Sequence, residues 1–372
     1  MKILMTGAHL TPALAMIDHI QKKHSKDELV FVGRLFSQEK LKQKAIEADE
    51  IKKKGVKFIP FKAIKFVNNS GMDLFLSFLS FPKSVRRAKK ILQAEKIEAF
   101  LSFGSYLAVP FALAAKQLNI PIVTHEQTIV MGKANQFIAN LADQVAISFS
   151  QTADYLKKDN YVLTGNPVRA NLFAKDLKRP DYLPATAKKI ILVMGGNQGS
   201  FVLNELVKNN LEFLLKDFTV VHQCGRANKL RDYPQELAKI KKALPKKLAE
   251  RYFIRQWIEE KELFWLYQHA HFAISRSGAN SVLEMCLAPL PAILIPLPNT
   301  YNDEQRLNAE MMANAGGAII LDQEKLKQEY FQNSVLNIEK ERLGMRQSLS
   351  EEKFYSEAPA KIYQLLIDVQ KK

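Results

Sequence analysis

The motif FAISRSGANSVLE at Phe272–Glu284 joins a predicted strand to the start of a predicted helix. Its first four residues predict a short buried strand, whereas Ser277–Ser281 are the small, mostly polar residues that typically begin a helix. A helix start offers unpaired N–H groups and the positive end of a dipole, which together favour a diphosphate. Glu284 lies about one turn inside this helix, where its carboxylate can accept hydrogen bonds from ribose hydroxyls. The alternative is that Ser277 or Asn280 only caps the helix.

Short apolar runs alternate with helical stretches along the whole chain. In the first half the predicted strands are Lys2–Met5, Leu29–Val32, Lys57–Pro60, Ala99–Ser102, Ile122–Thr124, Gln144–Ile147 and Tyr161–Leu163. In the second half they are Ile190–Met194, Thr219–His222, Tyr252–Ile254, Phe272–Ser275, Ala292–Ile295 and Ala318–Leu321. Such alternation is typical of parallel sheets that helices cover on both faces. The sequence therefore predicts an α/β protein with two doubly wound, Rossmann-like domains.

The length of 372 residues also indicates two domains, at roughly 150 residues for each. We predict the boundary near Gly165–Arg169, because the Asn-Pro pair in GNPVR marks a turn. The first domain then covers residues 1–165 and the second covers 166–349. The amphipathic pattern of Tyr355–Val369 predicts a helix within residues 350–372 that returns to the first domain.

The chain carries 54 Lys and Arg residues against 38 Asp and Glu, a net charge of +16. This surplus indicates a polyanionic partner, unless it reflects only a lysine-rich proteome. The segment Lys52–Lys96 holds 12 basic residues against two acidic ones and includes the aromatic-rich stretch Leu74–Phe81. Aromatic rings beside lysines suit the surface of an anionic membrane, although a buried helix followed by a solvated basic helix has the same composition.

Cysteine and acidic residues give no sign of a metal site. Cys224 and Cys286 are the only two cysteines, and they make neither a disulfide framework nor a zinc site. Asp303 and Glu304 are the nearest approach to a metal-binding acidic pair, and they lie at a predicted helix start. We therefore expect no metal, and no segment has the composition of a transmembrane helix.

Polar or glycine-rich segments follow several other predicted strands, at the edge where α/β sheets bind ligands. In the second domain these are GGNQGS at Gly195–Ser200 and the polar segment Pro296–Ala309, whose Gln305 and Asn308 would face a sugar or nucleotide. In the first domain, His9 and the segment HEQT at His125–Thr128 occupy this position. A histidine there is well placed as a general base, although a tight turn or a packing histidine would give the same pattern.

Five of these motifs occur together in an order that resembles a known family. They are HEQ at His125–Gln127, GNPVR at Gly165–Arg169, GGNQG at Gly195–Gly199, RSGANSVLE at Arg276–Glu284, and the segment Asn302–Ala309. The combination resembles the MurG-type transferases of glycosyltransferase family 28, over nearly the whole chain. The resemblance implies a GT-B fold with a cleft between two domains, and inverting transfer of N-acetylglucosamine (GlcNAc) from UDP-GlcNAc to the undecaprenyl-linked acceptor of peptidoglycan synthesis, lipid I. It also implies no cofactor, no nucleic acid, and peripheral attachment to the anionic cytoplasmic face of the bacterial membrane.

The resemblance also implies roles for single residues. The expected substrate-binding residues are Gly7, Thr128, Asn166, Arg169, Asn197, Ile258, Ser277, Gly278, Ala279, Asn280, Ser281, Glu284 and Gln305. Among them, Ile258 matches the position whose backbone meets the uracil of the donor. His9 matches the histidine of the family's first loop and is the expected base, with Glu126 as the second choice.

Departures from the family pattern concern the acceptor side. The first loop, Met5–His9, is shorter and poorer in glycine than the family's, and Thr128 replaces an amide. Three alternatives therefore stay open: a GT-B enzyme with another lipid acceptor such as diacylglycerol, a UDP-GlcNAc 2-epimerase of similar fold, and a non-catalytic basic module that binds RNA or membrane.

Overall fold

A computed structural model describes residues 1–7, 10–34, 36–38, 43–44, 46–62, 71–196, 199–226, 231–351 and 357–371. For residues 36–38, 43–44, 46, 71–80 and 301 it describes the backbone only. The chain forms two compact units, one made of Met1–Ala170 with Tyr355–Lys372 and the other of Asn171–Phe354.

The first unit contains a seven-stranded sheet. Its elements are β1 (Lys2–Thr6), α1 (Leu10–Lys23), β2 (Glu28–Gly33), β3 (Phe36–Gln38), β4 (Gln43–Lys44), α2 (Ile46–Lys53), β5 (Lys57–Pro60), α3 (Gly71–Ala94), β6 (Ala99–Ser102), α4 (Ala108–Gln117), β7 (Ile122–Glu126), α5 (Lys133–Leu141), β8 (Gln144–Ile147) and β9 (Tyr161–Leu163). The strand order is β5-β2-β1-β6-β7-β8-β9, and every pair is parallel. Strands β3 and β4 form a separate antiparallel pair.

The second unit contains a six-stranded parallel sheet in the order β12-β11-β10-β13-β14-β15. Its elements are β10 (Ile190–Met194), α6 (Phe201–Asn209), α7 (Leu211–Asp217), β11 (Thr219–Gln223), α8 (Tyr233–Ala243), α9 (Lys246–Ala249), β12 (Tyr252–Arg255), α10 (Glu260–His269), β13 (Phe272–Ser275), α11 (Ala279–Leu287), β14 (Ala292–Leu294), α12 (Glu304–Asn314), β15 (Ala318–Ile320) and α13 (Gln328–Glu351). All residues of β10, β11 and β13 are buried, as expected for strands that helices cover on both faces.

The strand order places a topological switch point in each sheet. The chain runs from β1 to one side through β2 and β5, and then to the other side through β6 to β9. The second sheet does the same around β10, with β11 and β12 on one side and β13 to β15 on the other. Ligands of open α/β sheets bind outside the carboxyl ends of the strands at such points. We therefore expect ligands at two places. One is formed by the loops after β1, β2 and β6, and the other by the loops after β10, β11 and β13.

The two sheets confirm the predicted fold class, and all the predicted strands are present. One difference matters for the site: His125 and Glu126 are the last residues of β7, whereas we predicted that they follow it. They stay in the strand because their polar atoms find buried hydrogen-bond partners at its end. The strands β3 and β4 were not predicted, because their residues lack the apolar pattern of a core strand.

The last helix, α14 (Ala358–Gln370), packs within the first unit. Its Ile362 and Leu366 are fully buried in the core beside α1 and the first sheet. The Tyr363 hydroxyl donates a 2.7 Å hydrogen bond to Asp27 Oδ2, while the Met1 ammonium group lies 2.8 Å from Asp27 Oδ1. The end of the chain is thereby part of the first hydrophobic core. No helix among the described residues is long and apolar enough to cross a membrane.

This packing predicts that Leu366→Ala lowers the free energy of unfolding by about 2–5 kcal/mol, because it leaves a cavity in a closed core. Leu366 is 0% exposed, whereas Gln370 on the same helix is exposed. The control Gln370→Ala should change stability by less than about 0.5 kcal/mol. Urea denaturation followed by circular dichroism measures both variants, and equal stability of the two would contradict this packing.

Candidate functional site

The second switch point begins with a glycine turn between β10 and α6. Gly196 and Gly199 have φ values of +79° and +77°, which residues with a side chain rarely adopt. A Cβ atom on Gly199 would lie 2.3 Å from the Cys224 carbonyl oxygen. The turn therefore packs directly on the end of β11, and glycine is required there by both conformation and space.

A buried histidine holds this end of β11. His222 is 0% exposed, with Nε2 3.0 Å from Asn204 Oδ1 and Nδ1 2.8 Å from the Tyr252 hydroxyl. Asn204 Nδ2 donates to the Cys224 carbonyl, so its Oδ1 must accept from His222 Nε2–H. The Tyr252 hydroxyl then donates to Nδ1, and burial lowers the pKa of His222 to about 3. A neutral histidine thus fixes the carbonyl on which Gly199 packs.

Gln223, the last residue of β11, joins two loops at the same edge. Its Nε2 donates to the Gly196 carbonyl at 3.2 Å, and its Oε1 accepts the Ile258 N–H at 3.0 Å. Ile258 is 1% exposed, so its side chain belongs to the core while its backbone lies at the edge of the sheet. We predicted that the Ile258 backbone lies near the uracil, and its N–H group already has an acceptor within the protein.

Arg276, directly after β13, is the centre of the hydrogen bonds at this edge. Its Nε donates to Ser200 Oγ at 3.0 Å, and Nη1 donates to the Ile295 and Pro296 carbonyls at 3.0 and 3.3 Å. Its Nη2 donates to Gln323 Oε1 at 2.7 Å. All these acceptors are neutral, and no carboxylate in the described part of the chain forms an ion pair with Arg276. Burial lowers the pKa of Arg276, yet an arginine stays charged at neutral pH. The edge therefore carries an unneutralised positive charge.

Helix α11 begins beside this charge without a side-chain cap. Gly278 occupies the cap position and offers no side-chain oxygen to the first-turn N–H groups. Ser277 is 0% exposed, and its Oγ has no hydrogen-bond partner among the residues described. Residues 278–281 are half-buried, so the helix start is accessible. Glu284, one turn further on, is 3% exposed. A buried orphan hydroxyl, a helix dipole and an unneutralised guanidinium together favour an anion.

The loop after β14 brings an amide to the same region. Gln305 Oε1 accepts the Leu297 N–H at 3.0 Å, which leaves Nε2 to donate to a ligand. Asn308 is 1% exposed, and its Nδ2 donates to the Ser277 carbonyl at 3.0 Å. Asn308 therefore supports the start of α11 from within the protein.

The first sheet ends in a second polar cluster. His125 is 2% exposed, and its Nε2 lies 3.2 Å from the Gly165 carbonyl and 3.1 Å from Ser148 Oγ. A Cβ atom on Gly7 would lie 2.6 Å from Phe103 Cβ, so glycine lets β1 end against β6. The Phe103 ring in turn packs edge-on against His125 at 5.8 Å.

Glu126 is fully engaged inside the protein. Its Oε1 lies 3.1 Å from the Thr128 N–H and 2.9 Å from Thr128 Oγ1, and its Oε2 accepts from Asn135 Nδ2 at 2.9 Å. Asn135 Oδ1 accepts from the Thr124 hydroxyl at 2.7 Å, which fixes the orientation of the amide. The Gly132 N–H also contacts the carboxyl group. These contacts tie the loop after β7 to α5.

The hydrogen bonds of Thr128 favour a protonated carboxyl group on Glu126. The Thr128 hydroxyl has one hydrogen, yet it lies within bonding distance of both Glu126 Oε1 and the Val130 carbonyl oxygen, at 2.9 and 2.7 Å. Both contacts are satisfied if protonated Glu126 donates to Thr128 Oγ1, which then donates to Val130. Burial raises the pKa of Glu126 against the opposing effect of these hydrogen bonds, in agreement with this assignment. The arrangement favours a neutral carboxylic acid, whereas we named Glu126 as the second choice for the base.

The structure thus places the predicted residues in two groups. Gly7, Glu126, Thr128, Asn166 and Arg169 belong to the first unit, and Asn166 is 4% exposed while Arg169 is half-buried. Ile258, Ser277, Gly278, Ala279, Asn280, Ser281, Glu284 and Gln305 belong to the second. His9 and Asn197 lie outside the described residues. No group of three or more His, Cys, Asp or Glu side chains in the described ranges is arranged to hold a metal ion.

Sequence reasoning missed three residues that hold the two edges. Arg276 lies in a motif that we singled out, but the residue type alone does not predict that its guanidinium points into the protein. Gln223 and Asn135 are single amides, one at a strand end and one in the first turn of a helix. The available signal was their position beside the ligand edge of a predicted sheet.

Comparison with protein-family models finds both halves of one family. The glycosyltransferase family 28 N-terminal domain matches residues 6–147, and the glycosyltransferase family 28 C-terminal domain matches residues 190–362. The matched ranges include the elements that build each switch point.

Named relatives and solved structures agree with this result. The chain is 31% identical over 346 residues to the UDP-N-acetylglucosamine--N-acetylmuramyl-(pentapeptide) pyrophosphoryl-undecaprenol N-acetylglucosamine transferase of Clostridium botulinum strain Alaska E43, covering 91% of this chain and 89% of that protein. The fold is similar to Acinetobacter baumannii MurG, with a TM-score of 0.70, 22% identity and 99% of each chain covered. It is also similar to UDP-GlcNAc 2-epimerase from Neisseria meningitidis, with a TM-score of 0.68, 13% identity, and 99% of this chain and all of that one covered. The two structures show the shared fold alone.

The proton on Glu126 predicts a pH dependence that Glu126→Gln removes. The unfolded carboxyl loses its proton near its ordinary pKa of 4.5, whereas the folded one keeps it to higher pH. The stability from this group is therefore complete below pH 4.5 and falls as pH rises toward the folded pKa, by up to about 1.4 kcal/mol per pH unit. Urea denaturation across this window should show wild-type stability falling relative to the glutamine variant. A constant difference would mean that Glu126 is ionised in the folded protein.

Proposed function

The chain belongs to glycosyltransferase family 28, and we propose that it transfers GlcNAc from UDP-GlcNAc to lipid I, undecaprenyl-diphosphoryl-MurNAc-pentapeptide, to give lipid II. The observation that carries the proposal is the start of α11, where an uncapped helix, an orphan hydroxyl and an unneutralised arginine meet in a chain whose relatives are named for this transfer. The product serves peptidoglycan synthesis.

The donor diphosphate binds at the start of α11 in this proposal. The first-turn N–H groups and the helix dipole favour negative charge, and the guanidinium of Arg276 adds a full positive charge nearby. When the glycosidic bond to UDP breaks, charge develops on the diphosphate, and these fixed groups stabilise it without reorganisation. Ser277 Oγ, buried and without a partner among the described residues, supplies a further donor.

In this proposal the donor nucleoside lies at the two loops that Gln223 joins, close to Glu284. Glu284 accepts hydrogen bonds from the ribose hydroxyls, and the uracil lies at the Ile258 backbone. The Gln305 amide, whose Nε2 points to no acceptor within the described residues, donates to the sugar. The glycine turn, with Asn197, lets the backbone approach the ligand closely.

The acceptor binds at the first sheet in this proposal. An acceptor hydroxyl displaces UDP in one step with inversion, which needs a base for its proton. His9, directly after β1, is the proposed base, since Glu126 is engaged as a neutral acid. Arg169 stabilises the departing diphosphate, while Gly7, Thr128 and Asn166 shape the acceptor side. We propose no organic cofactor and no metal.

The outer face of α3 is the proposed membrane contact. Lys83, Arg86, Arg87 and Lys90 are all exposed and recur at the spacing of one helical face. Arg87 also lies 5.2 Å from the Phe61 ring. Exposed cations in such a row are attracted to the anionic lipids of the cytoplasmic leaflet, and the lipid-linked acceptor lies in that leaflet. We therefore propose peripheral attachment through this basic face.

Parallel transfer assays test the proposed reaction. Radiolabelled UDP-GlcNAc is offered with lipid I, with diacylglycerol, and without an acceptor. The proposal expects label in lipid II only. Label in a glycosylated diacylglycerol would indicate the other acceptor, and conversion of UDP-GlcNAc to its 2-epimer without acceptor would indicate an epimerase.

Glu284→Ala should weaken binding of UDP by about 1.5–3 kcal/mol, because a charged hydrogen-bond partner of the ribose is lost. Isothermal calorimetry measures the effect. Glu304, also acidic and near the start of α12, provides the control Glu304→Ala, which should leave UDP binding unchanged. Unchanged affinity in Glu284→Ala would remove this residue from the donor site.

Replacing Lys83, Arg86 and Lys90 by serine should weaken binding to anionic vesicles about a hundredfold at low salt, at about 1 kcal/mol for each charge. Co-sedimentation with vesicles that contain phosphatidylglycerol measures this. The matched control replaces three exposed lysines of the second unit, Lys239, Lys242 and Lys246. Equal weakening by the two triple variants would show that only net charge matters, and the basic face of α3 would lose its assigned role.

A further inference from the structure

Arg34 is a charged residue at the first switch point that no motif of the sequence analysis includes. It directly follows β2, whose last residue is Gly33. Glu47 in α2 binds both its side chain and its backbone. Arg34 Nη2 donates to Glu47 Oε1 at 2.9 Å, and the Arg34 backbone N–H donates to Glu47 Oε2 at 3.2 Å. Glu47 is 7% exposed, and the Arg34 side chain is 28% exposed. A buried carboxylate thus positions a guanidinium that remains partly open to solvent.

Tyr106 lies near the same guanidinium, on the other side of the switch point. It follows β6 after Gly104 and Ser105, which both have positive φ values, of +74° and +78°. The Tyr106 phenol lies near enough to the Arg34 guanidinium to contribute to the raised pKa of Arg34. Because β1 lies between β2 and β6 in the sheet, this contact spans the carboxyl end of β1. Arg34 and Tyr106 therefore lie on the two sides of the end of β1.

Two buried polar atoms in this place have no partner among the described residues. They are Arg34 Nε and Thr6 Oγ1, and Thr6 is 0% exposed at the last position of β1. Buried polar groups are normally hydrogen-bonded, so unpaired donors at a ligand edge point to a ligand that pairs with them. A guanidinium has five N–H donors in a planar fork, and Glu47 and Tyr106 do not use them all.

We propose that Arg34, positioned by Glu47, binds a phosphate of the acceptor's diphosphate. The proposal rests on the proposed function. It also explains a departure in the sequence: the loop Met5–His9 has a single glycine, Gly7, and that glycine is used to pack on Phe103. A loop of this kind offers few backbone N–H groups to a diphosphate, and a planar guanidinium supplies the same recognition through paired, charge-assisted hydrogen bonds.

Steady-state kinetics of Arg34→Met separate the two possible sources of the diphosphate. We expect the KM for lipid I to rise about 10- to 100-fold, with the KM for UDP-GlcNAc and the calorimetric Kd for UDP unchanged. Arg34→Lys should recover part of the loss, because it keeps the charge without the planar fork. An equal loss in donor affinity would assign Arg34 to the donor, and an unchanged KM for lipid I would overturn the proposal.

Two further variants keep the test sound if Arg34→Met unfolds. The double variant Arg34→Met/Glu47→Gln removes the buried carboxylate that the single variant leaves unpaired, and it should show the same KM for lipid I. Glu47→Gln alone should retain most acceptor binding, since the guanidinium stays. A rise in the KM for lipid I as large in Glu47→Gln as in the double variant would show that only the local fold matters. Absence of transfer to lipid I by the wild-type chain would instead contradict the proposed function itself.

Discussion

The second unit depends on one buried positive charge. Arg276 donates hydrogen bonds to Ser200, to two carbonyls after β14 and to Gln323, and thereby joins three loops that are far apart in sequence. Hydrogen bonds from a charged donor are strong. Each acceptor here is a polar group whose burial without a hydrogen bond would lower the stability of the fold. Because no carboxylate of the described residues neutralises the guanidinium, the same interaction that fixes the loops leaves the start of α11 positive. The arginine that fixes the three loops is therefore also the source of the positive charge at this edge.

The first unit organises its edge differently. A neutral acid, Glu126, and the amide of Asn135 tie the loop after β7 to α5 through hydrogen bonds that need no net charge. The positive charge lies instead at Arg34, which a buried carboxylate positions from behind. The two sheets share a topology but carry positive charge differently. One has an open helix start and a buried arginine, and the other has a partly exposed arginine directly after β2.

Much of the fold follows from the sequence because strand cores are apolar on both faces and helices alternate with them. The spacing therefore located every strand of the two large sheets, and the Ser277–Ser281 pattern located an uncapped helix start. Side-chain direction is harder to predict, because the sequence does not distinguish an arginine that faces a ligand from one that faces the core. Arg276 turned inward to four neutral acceptors, and Glu126 is held by partners nine and two residues away that only the folded chain brings together. The loop after β1 lies partly outside the described residues, so the role of His9 stays a prediction.

Hydrogen–deuterium exchange with saturating UDP-GlcNAc tests the central claim, that the edge built on Arg276 holds the donor. We expect slower amide exchange in residues 195–199 and 278–284, where the glycine turn and the start of α11 would contact the donor. Peptides from the first switch point, residues 30–34 and 103–107, should exchange at an unchanged rate until an acceptor is added. Protection of the first switch point by UDP-GlcNAc alone, with residues 278–284 unaffected, would contradict the account.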